Sequence, residues 1–304
     1  MPETEDQSCE NGESTKQYLK RVLNAHGYPF QFAVLQHARR LQSHGLSGWV
    51  FESSEVPVGE SGRSTHIDFV LRRYDGRGST SSLNLYLIAE CKRVNPLKSK
   101  WCFVRNPYPM RNKSGSAHPI QFDRIVSQDS QDRYTKGGMI KHWDYPTFEL
   151  PFELKTHKPN DPLSPLSKSP INDAAFQVLL GQRGFISHLT SMTGTDKHEQ
   201  LRRENVFIPV VFTTADLFVS DVDLSDADLA SGEVHTDSDV LIKRPWLWYN
   251  FRRHSDLDHP FEKYGSSQTN VDEYFAAFTR SVAFVSVSGI DEFLTLDFGQ
   301  WLSG

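Results

Sequence analysis

Cysteine is nearly missing from this chain: 3 in 304 residues, at positions 9, 91 and 102, an odd number with no Cys-x-x-Cys pair. That excludes a disulfide framework and a cysteine-based zinc ribbon, and it fits a reducing compartment. Long apolar runs are missing too, none approaching the roughly 20 residues a membrane-spanning helix needs. The chain opens MPETEDQSCENGEST, acidic and polar where a secretory signal is basic and then apolar, so the expected location is the cytoplasm, or the nucleus of a eukaryote. An excess of positive charge is absent as well. With 33 Lys and Arg against 38 Asp and Glu the formal charge is -5, which excludes a uniformly basic, histone-like binder and leaves a local basic surface open. The 38% of hydrophobic residues and 23% of charged ones describe a globular chain, large enough to bury one large core or two ordinary ones.

Residues 1–14 carry five acids and no basic residue, the composition of a solvated tail; the remainder, 15–304, reads as one domain without internal repeats. Apolar positions at helical spacing (Tyr18, Leu19, Val22, Leu23) predict a first helix. A second follows the break at Gly27-Tyr28-Pro29, with Phe32, Val34, Leu35, Ala38 and Leu41, and ends at Gly45. Segments around 48–51, 55–58, 65–72 and 83–94 are rich in β-branched, aromatic and leucine residues between Gly/Ser/Asp clusters, an antiparallel meander. Ten of the 16 prolines fall in 95–170, which predicts an irregular insertion with at most one short helix near 120–127. Regular structure resumes with a helix over 172–189 and a strand over 206–212, so apolar that both faces should be covered. The acidic loop 216–239, with eight acids and no Lys or Arg, precedes a C-terminal extension of the sheet over 241–304: a strand at 241–251, a helix at 271–280, a strand at 282–287 and a helix at 290–298. The fold class expected is α/β, a mixed central sheet flanked by helices.

Chemistry concentrates in one hairpin. Thr65-His66-Ile67-Asp68-Phe69-Val70-Leu71, a Gly/Ser loop, and Leu83 through Lys92 place Asp68 nearly opposite Glu90 when the strands fold about the loop. Side chains alternate along a strand, so Glu90 and Lys92 project to one side and Cys91 to the other. Two carboxylates beside a lysine at the end of an apolar strand make a hard-oxygen site next to a proton-handling group, suited to Mg²⁺ and a substrate phosphate. The reaction implied is phosphodiester hydrolysis. A structural cross-strand ion pair is the alternative, but the run Leu85-Tyr86-Leu87-Ile88-Ala89 argues for a covered central strand, where charges are expensive. A second Glu-x-Lys, Glu153-Leu154-Lys155, is bracketed by prolines and has no apolar strand leading into it.

Asp68, a 21-residue gap and Glu90-Cys91-Lys92, with helix, meander, helix and strand in that order, resemble the PD-(D/E)XK nuclease superfamily, the restriction-endonuclease-like fold, over roughly residues 28–219. The resemblance implies Mg²⁺ or Mn²⁺ bound by Asp68 and Glu90, with the Cys91 carbonyl as a further ligand, and Lys92 serving the attacking water. It implies a nuclease acting on nucleic acid, most readily a DNA endonuclease in restriction, repair or anti-phage defence, with a homodimer or a regulatory subunit as protein partners. Many members carry a further acid at the start of the first helix; Gln31 stands there, able to orient water or offer a carbonyl oxygen but not a charge. The alternative is a catalytically degenerate nuclease fold that binds nucleic acid or scaffolds a partner.

Other residues leave two readings each. His66 lies near the site or is an ordinary strand residue, and Gln177 points at the site or is a surface glutamine. His254-Ser255-Asp256-Leu257-Asp258-His259 resembles a metal motif but lacks a completing histidine and reads as a loop. From 91 to 141 there are 11 Lys or Arg against three Asp, interleaved with Trp101, Phe103 and Tyr108. This suits a nucleic-acid track through Lys98, Lys100, Arg105, Arg111 and Lys113, with a solvated basic loop as the plain alternative.

Overall fold

The computed structural model describes residues 14–60, 63–76, 81–94, 100–106, 120, 122–128, 131–136, 147–154, 169–192, 202–234, 241–252 and 279–298. Ser14, read from composition as the end of a tail, starts helix α1 (Thr15–Ala25): its hydroxyl accepts from the Gln17 N–H while the Gln17 side chain accepts from the Ser14 N–H, a capping box. Helix α2 (Tyr28–Ser43) carries a proline in its first turn, where the missing N–H has no intrahelical partner to lose. It buries Val34, Leu35, Ala38 and Leu41, one face at helical spacing. Gly45 ends the segment at φ 70°, with Leu46 N–H bonded to the Leu41 carbonyl and Gly45 N–H to that of Gln42, the paired bonds of a Schellman stop.

Strands β1 (Val50–Glu60), β2 (Arg63–Gly76) and β3 (Ser81–Lys92) form the antiparallel meander expected from sequence, the first two predicted strands being one. Within 95–170 the described residues supply strands, β4 (Lys100–Val104), β5 (Asp123–Gln128), β6 (Gln131–Lys136), β7 (Thr147–Phe148) and β8 (Leu150–Leu154), and where a helix was expected near 120–127 there is β5. Helix α3 (Pro170–Met192) leads to β9 (Arg202–Thr213) and β10 (Asp216–Ser220). Pro245 divides the predicted 241–251 strand into β11 (Leu241–Arg244) and β12 (Trp246–Arg252), and β13 (Thr279–Ser286) and α4 (Ile290–Thr295) follow. Of the helix expected over 271–280, positions 271–278 lie outside the described residues, and Thr279 and Arg280 begin β13. The acidic loop therefore begins with a strand, β10.

Nine strands form one mixed sheet in the order β1-β2-β3-β9-β13-β12-β7, with the β5–β6 hairpin beside the first half of β9. β3 and β9 run parallel over their whole length, which requires a crossover, and α3 lies in it. One edge of β9 is shared: β5 pairs with it up to Phe207 and β13 from Val210. Pro209, with no N–H to give, falls in the gap between them. A second sheet, β11-β10-β4-β8, stands apart from the first.

The main sheet is covered on both faces. Leu85, Leu87 and Ala89 pack with α2 and α4 through Leu35, Ala38 and Phe293, whereas Tyr86 and Ile88 pack with Ala175, Val178 and Ile186 of α3. Trp101 and Phe103 of β4, expected on an exposed track, are fully buried in this second cluster. The architecture is thus mixed α/β, a central mixed sheet flanked by helices, and no described helix is long and apolar enough to cross a membrane.

Candidate active site

The site forms where two strands turn over. Phe69 and Leu71 of β2 pack under α2, yet Ile67, at the same alternation, packs with Val58 under α3. The change of face falls at Asp68 and at Glu55, which the pairs Ser54↔Phe69 and Val56↔Ile67 place across from it. Glu55 has φ 51°, a left-handed conformation that a non-glycine residue adopts at some cost, and its charge is felt at both Asp68 and Glu90. On the other side the β2–β3 ladder runs to Phe69↔Ala89 and stops, so the next residues, Asp68 and Glu90, are neighbours no longer paired with each other, while β3 stays paired with β9 through Lys92.

Specific bonds hold the cluster. The Cys91 N–H donates to Asp68 Oδ2 at 2.6 Å, which fixes the carboxylate at the end of β3. Gln31, 2% exposed and one turn into α2, donates through Nε2 to Glu55 Oε1 at 2.6 Å and to the Asp68 carbonyl at 2.7 Å. Lys92 Nζ lies 2.6 Å from Glu90 Oε1 and 2.5 Å from Gln177 Oε1 on α3. The corner between α1 and α2 is close by: a Cβ on Gly27 would stand 4.0 Å from the Cys91 carbonyl oxygen.

Burial and crowding raise the acids' proton affinity. Desolvation first, then the neighbouring Glu90 carboxylate, pushes Asp68 up to about 7, against the opposing Cys91 N–H and Lys92 charge. Glu90 is raised as well, chiefly by burial, with Lys92 pulling it back and Glu55 adding to the rise. A site in which one nearby lysine leaves carboxylates short of positive charge is one a divalent cation would complete.

The structure brings together Asp68, Glu90, Lys92, Gln31 and Gln177. It adds Glu55, which was not anticipated; carrying the hairpin count one strand further back, from the pair Glu60↔Arg63, would have reached it. Gln31 commits its amide nitrogen to Glu55 and to the Asp68 backbone, which leaves its carbonyl oxygen as the atom that could face a metal or water. The Cys91 thiol is buried under α2, so that residue faces the site only through its backbone. His66 is exposed on the strand beyond Asp68. Lys100 and Arg105 are exposed at the ends of β4, with Lys100 Nζ 5.9 Å from the Phe218 ring centroid and Arg105 Cζ 5.7 Å from that of Phe148. Glu153 lies on β8 in the second sheet, paired with Trp101. Lys98, Tyr108, Arg111, Lys113, Lys155 and the 254–259 cluster lie outside the described residues.

Compared with protein-family models, with curated proteins and with solved structures, the chain matches none. Among the described residues no three His, Cys, Asp or Glu side chains are grouped so as to hold a metal ion by themselves. Two buried carboxylates and a backbone carbonyl are the donors available, all hard oxygens. That set fits Mg²⁺ or Mn²⁺ bound with waters and a substrate phosphate rather than in an all-protein cage.

Proposed function

We propose that this chain is a metal-dependent nuclease that hydrolyses phosphodiester bonds of nucleic acid, DNA foremost, in the manner of the PD-(D/E)XK superfamily it resembles. The observation that carries the reading is the convergence of Asp68, Glu90 and Lys92 where the β2–β3 ladder ends, with the acids held above their ordinary proton affinity. The order α2, β1–β3, α3, β9 supports it, because it is the order expected of that fold. Mg²⁺ or Mn²⁺ held by Asp68 and Glu90 would supply Lewis acidity toward water and the phosphoryl oxygens. Lys92, steered by Gln177, is placed to donate a hydrogen bond to the incoming water or to the phosphate and so offset charge that grows in the transition state. Gln31 and Glu55 lock the backbone at Asp68.

Incubation with plasmid, linear and single-stranded DNA and with RNA, in Mg²⁺, Mn²⁺ or EDTA, tests this. Cleavage should require the metal, and Asp68→Asn, Glu90→Gln and Lys92→Ala should each lower it on the order of 100-fold or more while the chain still folds. Cleavage at wild-type rate by the Asp68 or Lys92 variant, with unchanged melting, sinks the assignment.

A further inference from the structure

Beside this site lies a second feature that the catalytic reading does not use. Gln17, Lys20, Arg21 and Asn24 of α1 and Arg93, the residue directly after Lys92, line an open cleft of about 500 Å³. The four α1 residues recur at i, i+3, i+4 and i+7, one face of the helix. Three of the five side chains are cations, and the described residues that line the cleft include no carboxylate and no apolar side chain. Packing does not explain the arrangement. A helix held by its apolar face would turn Leu19 and Leu23 inward, yet these are 55% and 52% exposed, and the polar face is the one directed at Arg93. Lys20 and Arg93 set positive charge on an open volume, which draws an anion toward it.

We propose that this cleft is a phosphate-backbone subsite for the nucleic-acid strand cleaved at Asp68, Glu90 and Lys92. The inference rests on the nuclease reading for the strand's identity and on the cleft alone for its chemistry. Two features favour a strand over a small anion: the cleft is elongated along two turns of α1, and it opens onto the end of β3, one peptide bond from Lys92. Gln17 and Asn24 can donate to phosphate or sugar oxygens without reading sequence, and the described lining residues include no aromatic ring to stack on a base.

The test is fluorescence anisotropy of the full chain with a labelled 20-nucleotide DNA, single-stranded and duplex, in EDTA, so that neither metal nor cleavage contributes. Lys20→Glu/Arg21→Glu and Arg93→Glu change exposed side chains, and circular dichroism checks that they fold. Lys243→Glu/Arg244→Glu on β11 is the control of equal charge change, also exposed. Affinity should fall at least about tenfold in the α1 double variant, and the log–log salt slope should become shallower by about two units there and about one in Arg93→Glu, with the control near wild type. Equal loss in the control, or unchanged slopes in both cleft variants, overturns the proposal. So does protection of the cleft by inorganic phosphate at concentrations where the DNA does not bind, which identifies a small-anion site. The two readings separate cleanly: a chain that cleaves while its cleft variants bind like wild type keeps the nuclease and loses the subsite. Slopes that fall as expected in a chain that cuts nothing keep the subsite and lose the nuclease.

Discussion

Asp68 bears a proton affinity raised to about 7 because the fold buries it beside Glu90, and a raised carboxylate has a definite sign in stability. The folded chain binds this proton more tightly than the unfolded chain, in which the group titrates near 3.8. The contribution is therefore full below about pH 4 and is lost as pH rises through about 7; Glu90, also raised, acts in the same direction. Melting temperature measured in EDTA should fall across that window, and Asp68→Asn, whose carbonyl oxygen can still accept from the Cys91 N–H, should flatten the fall and gain on the order of 2 kcal/mol at pH 8. Added Mg²⁺ should restore the wild type most above pH 7 and leave the variant unmoved; a wild-type profile that rises from pH 4 to 7 refutes the electrostatic account. Asp68, Glu90 and Lys92 were legible in the sequence because an apolar strand and a short loop fix their register. Extending the same count to β1 would have placed Glu55 across from Asp68, but not its direction, since the left-handed residue that reverses the face of β1 leaves no trace in alternation.

At the scale of elements, α3 is pressed against the meander at two glycines. A Cβ on Gly184 would stand 2.5 Å from Val58 Cβ, and one on Gly181 2.8 Å from Ile67 Cγ1, both on the strand segments next to the Glu55 and Asp68 turnover. Alanine favours a helix over glycine by about 1 kcal/mol, but here the overlap is with a β-branched core residue and dominates. Gly184→Ala should cost about 2 kcal/mol in urea unfolding and, by displacing the helix that carries Gln177, should lower cleavage more than stability alone explains. A neutral or stabilising result would mean that α3 can slide freely over the sheet. The helices were readable because their apolar spacing and their caps are local. The strands of 95–170 were not, since prolines suggest interruption unless it is known which strand edge is free: Pro151 sits on β8, whose only neighbour among the described strands is β4.

Across the whole molecule, one buried ion pair argues that the late-arriving strands and the meander fold as a unit. Arg280 of β13, 2% exposed, donates through Nε to Asp123 Oδ1 of β5 at 2.6 Å, and Gln182 of α3 donates to Asp123 Oδ2 at 2.6 Å. Segments more than 150 residues apart in sequence, one from the proline-rich stretch and one from the C-terminal extension, thereby meet the helix that also carries Gln177. Removing one partner breaks a buried ion pair, a penalty of about 3–5 kcal/mol. Asp123→Ala should therefore lower stability by that order, with tryptophan fluorescence and far-ultraviolet circular dichroism still reporting one coincident urea transition. The probes are well spread for this purpose: Trp49 is buried in the cluster that holds α2 and α4, and Trp101 of the second sheet is buried against Phe284 of β13. Two separated transitions would instead mean that 95–170 folds on its own. The network would then be a contact between two units, and the positioning of Lys92 by α3 would no longer depend on the strands beyond β9.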